Sequence, residues 1–336
     1  MTNRYTDISP RVFLAIANRR IVRAECIPES VWQVETVLDG PSPVTLAADP
    51  VNPDVVYAGT QGNGVYRSAD AGRSWAAIGL SGQVVKSLAV SPHDPGVIYA
   101  GVSPAAVYKT SDGGQHWAEL KGFRRIPNRW WWFSPAEPPF RAYVNALSVS
   151  PGDPNVVLAG IELGAVVRSE DGGRTWSSHR RGALRDCHSL AFHRCDGQWV
   201  YEAGGTGGGA AVSRDGGRTW QQPRSGLAKK YGVACAADPA RPEVWYVALA
   251  PNPGKAYGEK AEAYLYRASA GADWESIGWE PHPMSRMPRA LVTRPDAPGH
   301  LFVGTTYGDV WHTADYGDSW QQLPLELGGG LSLLVL

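Results

Sequence analysis

The chain has 336 residues, with 32 Lys and Arg balanced by 32 Asp and Glu, so no overall charge draws it to nucleic acid or to a membrane surface. Its 39 glycines, 26 prolines and 14 tryptophans suit many short strands joined by tight turns and packed on aromatic side chains. No apolar run approaches the ~20 residues of a membrane-spanning helix, and Val12-Phe13-Leu14-Ala15-Ile16-Ala17 lacks the charged region and cleavage site of a secretion signal.

In chain order, Arg11 to Ala17, Arg20 to Glu25 and Val31 to Val37 read as three strands. A repeating sentence then begins. Thr45-Leu46-Ala47-Ala48-Asp49-Pro50 leads through a turn into Val55-Val56-Tyr57-Ala58-Gly59. It returns as Ser87-Leu88-Ala89-Val90-Ser91-Pro92 with Val97-Ile98-Tyr99-Ala100-Gly101, and as Ala146-Leu147-Ser148-Val149-Ser150-Pro151 with Val156-Val157-Leu158-Ala159-Gly160. Weaker versions span 234–247 and 291–304. Each unit continues through a third strand to a second landmark, Ser/Thr-x-Asp-x-Gly-x-x-Trp. Ser169-Glu170-Asp171-Gly172-Gly173-Arg174-Thr175-Trp176 and Ser213-Arg214-Asp215-Gly216-Gly217-Arg218-Thr219-Trp220 are nearly identical, and looser copies end at Trp75, Trp117 and Trp320. Asp and Ser/Thr side chains satisfy the amides of a tight turn, Gly supplies positive φ, and Trp opens the following strand. These acids are therefore read as turn-formers and not as catalysts: a site is needed once, the turn in every unit.

With the degenerate Ser269-Ala270-Gly271-Ala272-Asp273-Trp274, the six tryptophans 75, 117, 176, 220, 274 and 320 mark a period of about 43 residues, that of a four-stranded propeller blade. The blades are predicted at roughly 43–80, 84–120, 143–180, 186–223, 231–278 and 288–324. Residues 331–336 read as one more apolar strand. With the three N-terminal strands it makes a seventh blade, as its innermost member. The expectation is one all-β, seven-bladed propeller over residues 1–336, closed by a composite blade.

The box residues carry a resemblance: the chain resembles the BNR/Asp-box repeat family, which includes sialidases, sortilin-type receptors, some glucan hydrolases and photosystem II assembly factors. The resemblance implies a β-propeller and, across those members, an enzyme, a receptor or an assembly scaffold. Arg125-Ile126-Pro127 resembles the Arg-Ile-Pro that gives sialidases their substrate-carboxylate arginine. It follows the second box here where the family has it before the first, so a sialidase itself is not expected.

Ligands of propellers bind at the channel mouth, on the interblade loops and on the loops joining second and third strands, opposite the box turns. Two loops are long. The first, 121–142, holds Arg124, Arg125, Arg129 and Trp130-Trp131-Trp132; the second, 251–263, holds Tyr257 and Glu259. Cations outnumber acids in three consecutive interblade loops, counting Lys121, Arg124, Arg125, Arg129 and Arg141 against Glu137, Arg180, Arg181 and Arg185 against Asp186, then Arg224, Lys229 and Lys230. On one face they would form a positive funnel. The primary expectation is a propeller that binds an anionic small molecule or acidic glycan at the mouth. Arg125, Arg129, Arg181, Arg185 and Lys230 would contact the anion and Trp131 would stack on the ligand. The Trp insertion could instead plug the channel or join two copies.

Two further classes stay open. A glycoside hydrolase or lyase acting on an acidic sugar would need paired carboxyls at the mouth, and Glu162, Asp186, Glu259, Glu262 and Asp309 beside Tyr307 are available. A scaffold would offer the same face to a protein partner. No cofactor is called for, and no nucleic-acid or phosphate-loop motif is present: the run 204–209 joins two strands. For metal, His179, His188 and His282 are weak candidates. Cys26, Cys187, Cys195 and Cys235 are too few and too irregular for a disulfide framework, so free thiols in a reducing, cytoplasmic compartment are expected.

Overall fold

The structure, a computed structural model, describes residues 12–27, 31–135, 138–205, 207–223 and 225–336. Arg11, Glu137, Thr206 and Arg224 of the sequence reading lie outside them. Seven antiparallel sheets follow one another along the chain as the blades of a propeller. Blades one to six are numbered here from residue 43, and blade seven joins the two ends. No helix among the described residues is long and apolar enough to cross a membrane.

In blade three the strands are Val144–Val149, Val157–Ile161 and Ala165–Ser169, the first of them innermost. The four-strand plan is fully developed in five blades. In blades three and four the outer strand shrinks to a few bonds, Ser177 N–H to the Arg168 carbonyl (2.8 Å) and the Val212–Gln221 bridge. Blade seven is composite: Gly330–Val335 pairs antiparallel with Val12–Ala17, which pairs with Arg20–Ile27, which pairs with Val31–Leu38.

The repeated turn works as its chemistry dictates. Ser169 Oγ donates to Asp171 Oδ1 (2.9 Å) and accepts from Gly173 N (2.8 Å). Asp171 also accepts from Thr175 N (2.8 Å) and from Thr175 Oγ1 (2.6 Å), and Trp176 Nε1 donates to the Gly173 carbonyl (2.9 Å). Gly172 and Gly173 stand at φ 70° and 92°. Burial alone would raise the Asp70 and Asp315 carboxyls, but their hydroxyl and amide donors outweigh it and hold both at about 2. These acids are consumed by their own turns, on the face opposite the loops that join second and third strands.

The repeated Ala-Gly has a tertiary reason. A Cβ on Gly59, Gly101 or Gly160 would stand 2.7 Å from Val85 Cγ1, 2.6 Å from Val144 Cγ1 and 2.3 Å from Cys187 Sγ, each on the inner strand of the next blade. Glycine is required because neighbouring blades touch there. Blades are also buckled by arginines that reach the box turn of the next blade. Arg23 Nε donates to the Ala71 carbonyl (3.0 Å), Arg168 Nε to Gly216 (2.9 Å) and Arg267 Nη1 to Tyr316 (3.0 Å). Arg23 and Arg168 are almost wholly buried. Replacing Arg168 by Met keeps the apolar stem but leaves the buried Gly216 carbonyl without its donor. Urea unfolding should show a loss of about 2 kcal/mol, and an unchanged midpoint would show that the buckle carries no stability.

Candidate functional site

The inner strands surround a channel whose mouth-side half has a volume of about 440 Å³ and is lined by polar groups from several blades, including Ser87, Asn145, His188, Tyr257 and Arg289. The other half, about 480 Å³, is floored by the Pro turns and His193. No described residue of 121–141 lines either half.

In the mouth-side wall three ionisable groups meet. Glu162 stands on the loop between the second and third strands of blade three, its amide held by the Tyr143 carbonyl (3.1 Å). Asp186 and His188 flank the first residue of the inner strand of blade four, Cys187–Phe192. His188 Nε2 lies 3.3 Å from Asp186 Oδ2 and 4.0 Å from Glu162 Oε2, and one donor atom of each residue falls within 4.8 Å of the others. On the far side of the ring, His188 Nδ1 is 2.6 Å from the Gly232 carbonyl. A carbonyl only accepts, so Nδ1 carries the proton and Nε2 is turned to the carboxylates.

Glu162 and Asp186 are each 7% exposed, and Asp186 Oδ1 is buried with no partner among the described residues. Burial, with the negative charge of Asp186 beside it, pushes Glu162 up to about 7, against the opposing pull of His188, the Tyr143 hydroxyl and Lys86. For His188 burial works against the charged ring, but Asp186, the Gly232 carbonyl and Glu162 outweigh it and the pKa is raised.

Across the mouth, Arg289 from the inner strand of blade six (Pro288–Arg294) packs its guanidinium 4.4 Å over the Tyr257 ring. Burial lowers its pKa, no acid lies against it among the described residues, and its Nε is buried without a partner. Tyr257 is set there by the second insertion, where the Asn252 side chain caps the short helix Pro253–Ala256 by accepting from Lys255 N (3.0 Å). Tyr231 joins the two sides, its ring edge-on to Tyr257 with centroids 6.3 Å apart and its hydroxyl 3.5 Å from His188 Nε2.

The residues expected from sequence fall in different places. Arg185 and Lys230 are exposed beside Asp186 and Tyr231, at the starts of the inner strands of blades four and five, whereas Arg125 and Arg181 are exposed near Gly122 and Gly182, which pack against the Arg174 and Trp220 carbonyls of the next blade's box. Arg129 is half-buried, donating to the Ala105 carbonyl (2.8 Å) and lying 5.6 Å over the Trp132 ring, so it anchors the insertion. Trp132 packs on Phe123 and above Gly164, whereas Trp130 and Trp131 stack on each other at 4.3 Å and are 71% and 62% exposed. Phe133, Phe140, Tyr257 and Tyr307 are exposed on the same side of the ring.

Asp309 does not join the cluster. It is buried and engaged by the Thr305 hydroxyl, by Trp311 Nε1 (2.7 Å) and by Arg286 (2.8 Å), while Tyr307 donates to the Glu259 carbonyl (2.8 Å). Of the three candidate histidines, only His188 belongs to a group of three ligating residues among the described residues. His179 is exposed and His282 stacks on Tyr264 at 5.0 Å. All four cysteines are free, Cys187 and Cys235 buried and Cys195 exposed.

No protein-family model and no curated protein matches the chain. Solved structures share its fold. An ancestral GH74 enzyme superposes with a TM-score of 0.64 at 19% identity, over 83% of this chain and 37% of that one. The GH74 enzyme of Niastella koreensis does so with 0.62 at 16%, over 83% and 45%. YCF48 bound to D1 peptide gives 0.59 at 14% identity, over 94% of this chain and 85% of that one. The chain thus spans less than half of either GH74 enzyme but most of YCF48. At these identities the likeness is one of fold.

Proposed function

We propose that this propeller is a binding module that takes a carboxylate- or phosphate-bearing small molecule into the mouth of its channel. The observation that carries the reading is Arg289: a guanidinium in the wall of a polar cavity, steadied by Tyr257, with no acid against it and one N–H unused among the described residues. Such a fork is built for a planar anion. Arg185 and Lys230 at the rim add positive potential along the way in.

The hydrolase alternative fits less well. Glu162 and Asp186 are too deeply buried and too close to admit a sugar between them, and Asp309 is spent on its own loop. A protein partner has one specific support: the exposed Trp130–Trp131 stack on the same face, together with a similar propeller of comparable length whose structure holds a peptide. A peptide array probed with the parent and with Trp131→Ala would separate the two, since a small-molecule site in the channel predicts no dependence on Trp131.

The direct test is thermal. EDTA-treated protein is screened against phosphate, citrate, succinate, uronic acids and nucleoside monophosphates. A ligand at 100 times its dissociation constant adds about 2.7 kcal/mol, which raises the melting point of a chain this size by about 3–4 °C. Arg289→Ala should weaken the hit by roughly 10- to 100-fold. The reading fails if no anion shifts the melt, or if the shift survives in Arg289→Ala.

A further inference from the structure

The cluster opposite Arg289 has features that anion binding leaves unused. We propose that Glu162, Asp186 and His188 form a site for one divalent transition-metal ion of the zinc or manganese type.

Three independent features point to an ion. The first is distance. Donors about 2.1 Å from one metal stand about 3.0–3.5 Å apart when adjacent; Asp186 Oδ2 and His188 Nε2 are already 3.3 Å apart, and Glu162 Oε2 is 4.0 Å from the same nitrogen. Movement of the Glu162 carboxyl by about 1–2 Å would complete a tripod, since its donor atom already lies within 4.8 Å of the other two. The second is orientation. The Nδ1–H of His188 is fixed on the Gly232 carbonyl, the outer hydrogen bond that ligating histidines make, so Nε2 is the nitrogen turned between the two carboxylates and the one whose lone pair an ion would take on displacing its proton. The third is an unfilled valence, because Asp186 is 93% buried and its Oδ1 finds no donor among the described residues.

The ligand set also selects the ion. One imidazole nitrogen and two carboxylate oxygens suit Zn²⁺ or Mn²⁺, and fall short of the six to eight oxygens that Ca²⁺ takes. Two carboxylates balance a divalent charge, so the buried site is neutral when filled. Its ligands come from the touching edges of blades three and four, and the ion would pin those blades together beside the channel. The proposal does not depend on Arg289 or on any anion.

The test uses the full chain stripped with EDTA and titrated with ZnCl₂, MnCl₂ and CaCl₂ by calorimetry, and with CoCl₂ followed by visible absorption. One Zn²⁺ and one Co²⁺ per chain are expected, with Ca²⁺ at least tenfold weaker. His188→Gln should abolish the Co²⁺ band and weaken Zn²⁺ by 100-fold or more. Because changing one member of a buried cluster can disturb folding, the near-isosteric double variant Glu162→Gln/Asp186→Asn is compared, with near-ultraviolet circular dichroism to confirm the native fold. A folded double variant without the band supports the site. Absence of stoichiometric binding by the parent overturns it. So does a band that persists in folded His188→Gln, which would move the ion to an exposed thiol such as Cys195.

Discussion

Deleting residues 331–336 is expected to abolish the cooperative unfolding transition of the whole protein. The strand Gly330–Val335 is the innermost member of blade seven, paired from Phe13↔Val335 to Ala17↔Gly330. It also packs against both neighbours: Leu333 is buried with Phe302 and Val310 of blade six, and Leu334 lies against the cluster of Leu46 and Val56 of blade one. Its loss exposes apolar side chains worth about 1.5–3 kcal/mol each when fully buried. It also strips the ladder from Val12–Ala17, a strand buried throughout, and opens the ring at that blade. The sum is comparable to the ~5–15 kcal/mol that holds a typical domain folded. Calorimetry and near-ultraviolet circular dichroism would show it directly, and a truncated chain melting at the parent temperature would refute ring closure as the source of stability.

Glu202→Gln should change how stability depends on pH by on the order of 4 kcal/mol. Glu202 lies on the second strand of blade four, wholly buried, with one oxygen accepting from Leu184 N (2.9 Å). Burial pushes its carboxyl from 4.5 up to about 8. The native state therefore keeps a proton that the unfolded chain releases. The effect on stability is nil below about pH 4.5, grows as a loss while pH rises, and levels off above about 8. Glutamine can still accept from Leu184 and does not titrate. Urea unfolding of parent and variant at pH 5, 6.5 and 8 should thus give an advantage to the variant that widens with pH. Other titrating groups are common to both proteins and cancel in the difference. Parallel profiles would mean that Glu202 ionises in the fold as it does in water.

How far the candidate site could be read from the sequence varies residue by residue. Glu162 and Asp186 are visible as acids in mouth-side loops, and His188 as a histidine at the start of an inner strand. Nothing in the order of residues joins Glu162 to a pair 24 and 26 positions away in the next blade. Arg289 carries no signal at all, because Pro288-Arg289-Ala290 reads as one more strand and its value comes from standing over Tyr257 without an acid. Arg129, conspicuous in a basic, Trp-rich loop, is drawn inward by the Ala105 carbonyl and the Trp132 face. Asp309, conspicuous beside Tyr307, is taken by Thr305, Trp311 and Arg286.

By itself the sequence determined whatever depends on neighbours within a few positions. The Asp, Gly, Ser/Thr and Trp of each box close a turn through bonds spanning two to four residues, and their recurrence about every 43 residues set the blade count, the closing strand and the seven-bladed ring. Only the tertiary structure decided which charges are met by a partner. That depends on blades packing close enough for Gly160 to touch Cys187, which brings Glu162 to His188, and on an insertion in blade five laying Tyr257 under Arg289. Burial then sets the protonation of what has been brought together, and burial is a property of the closed ring.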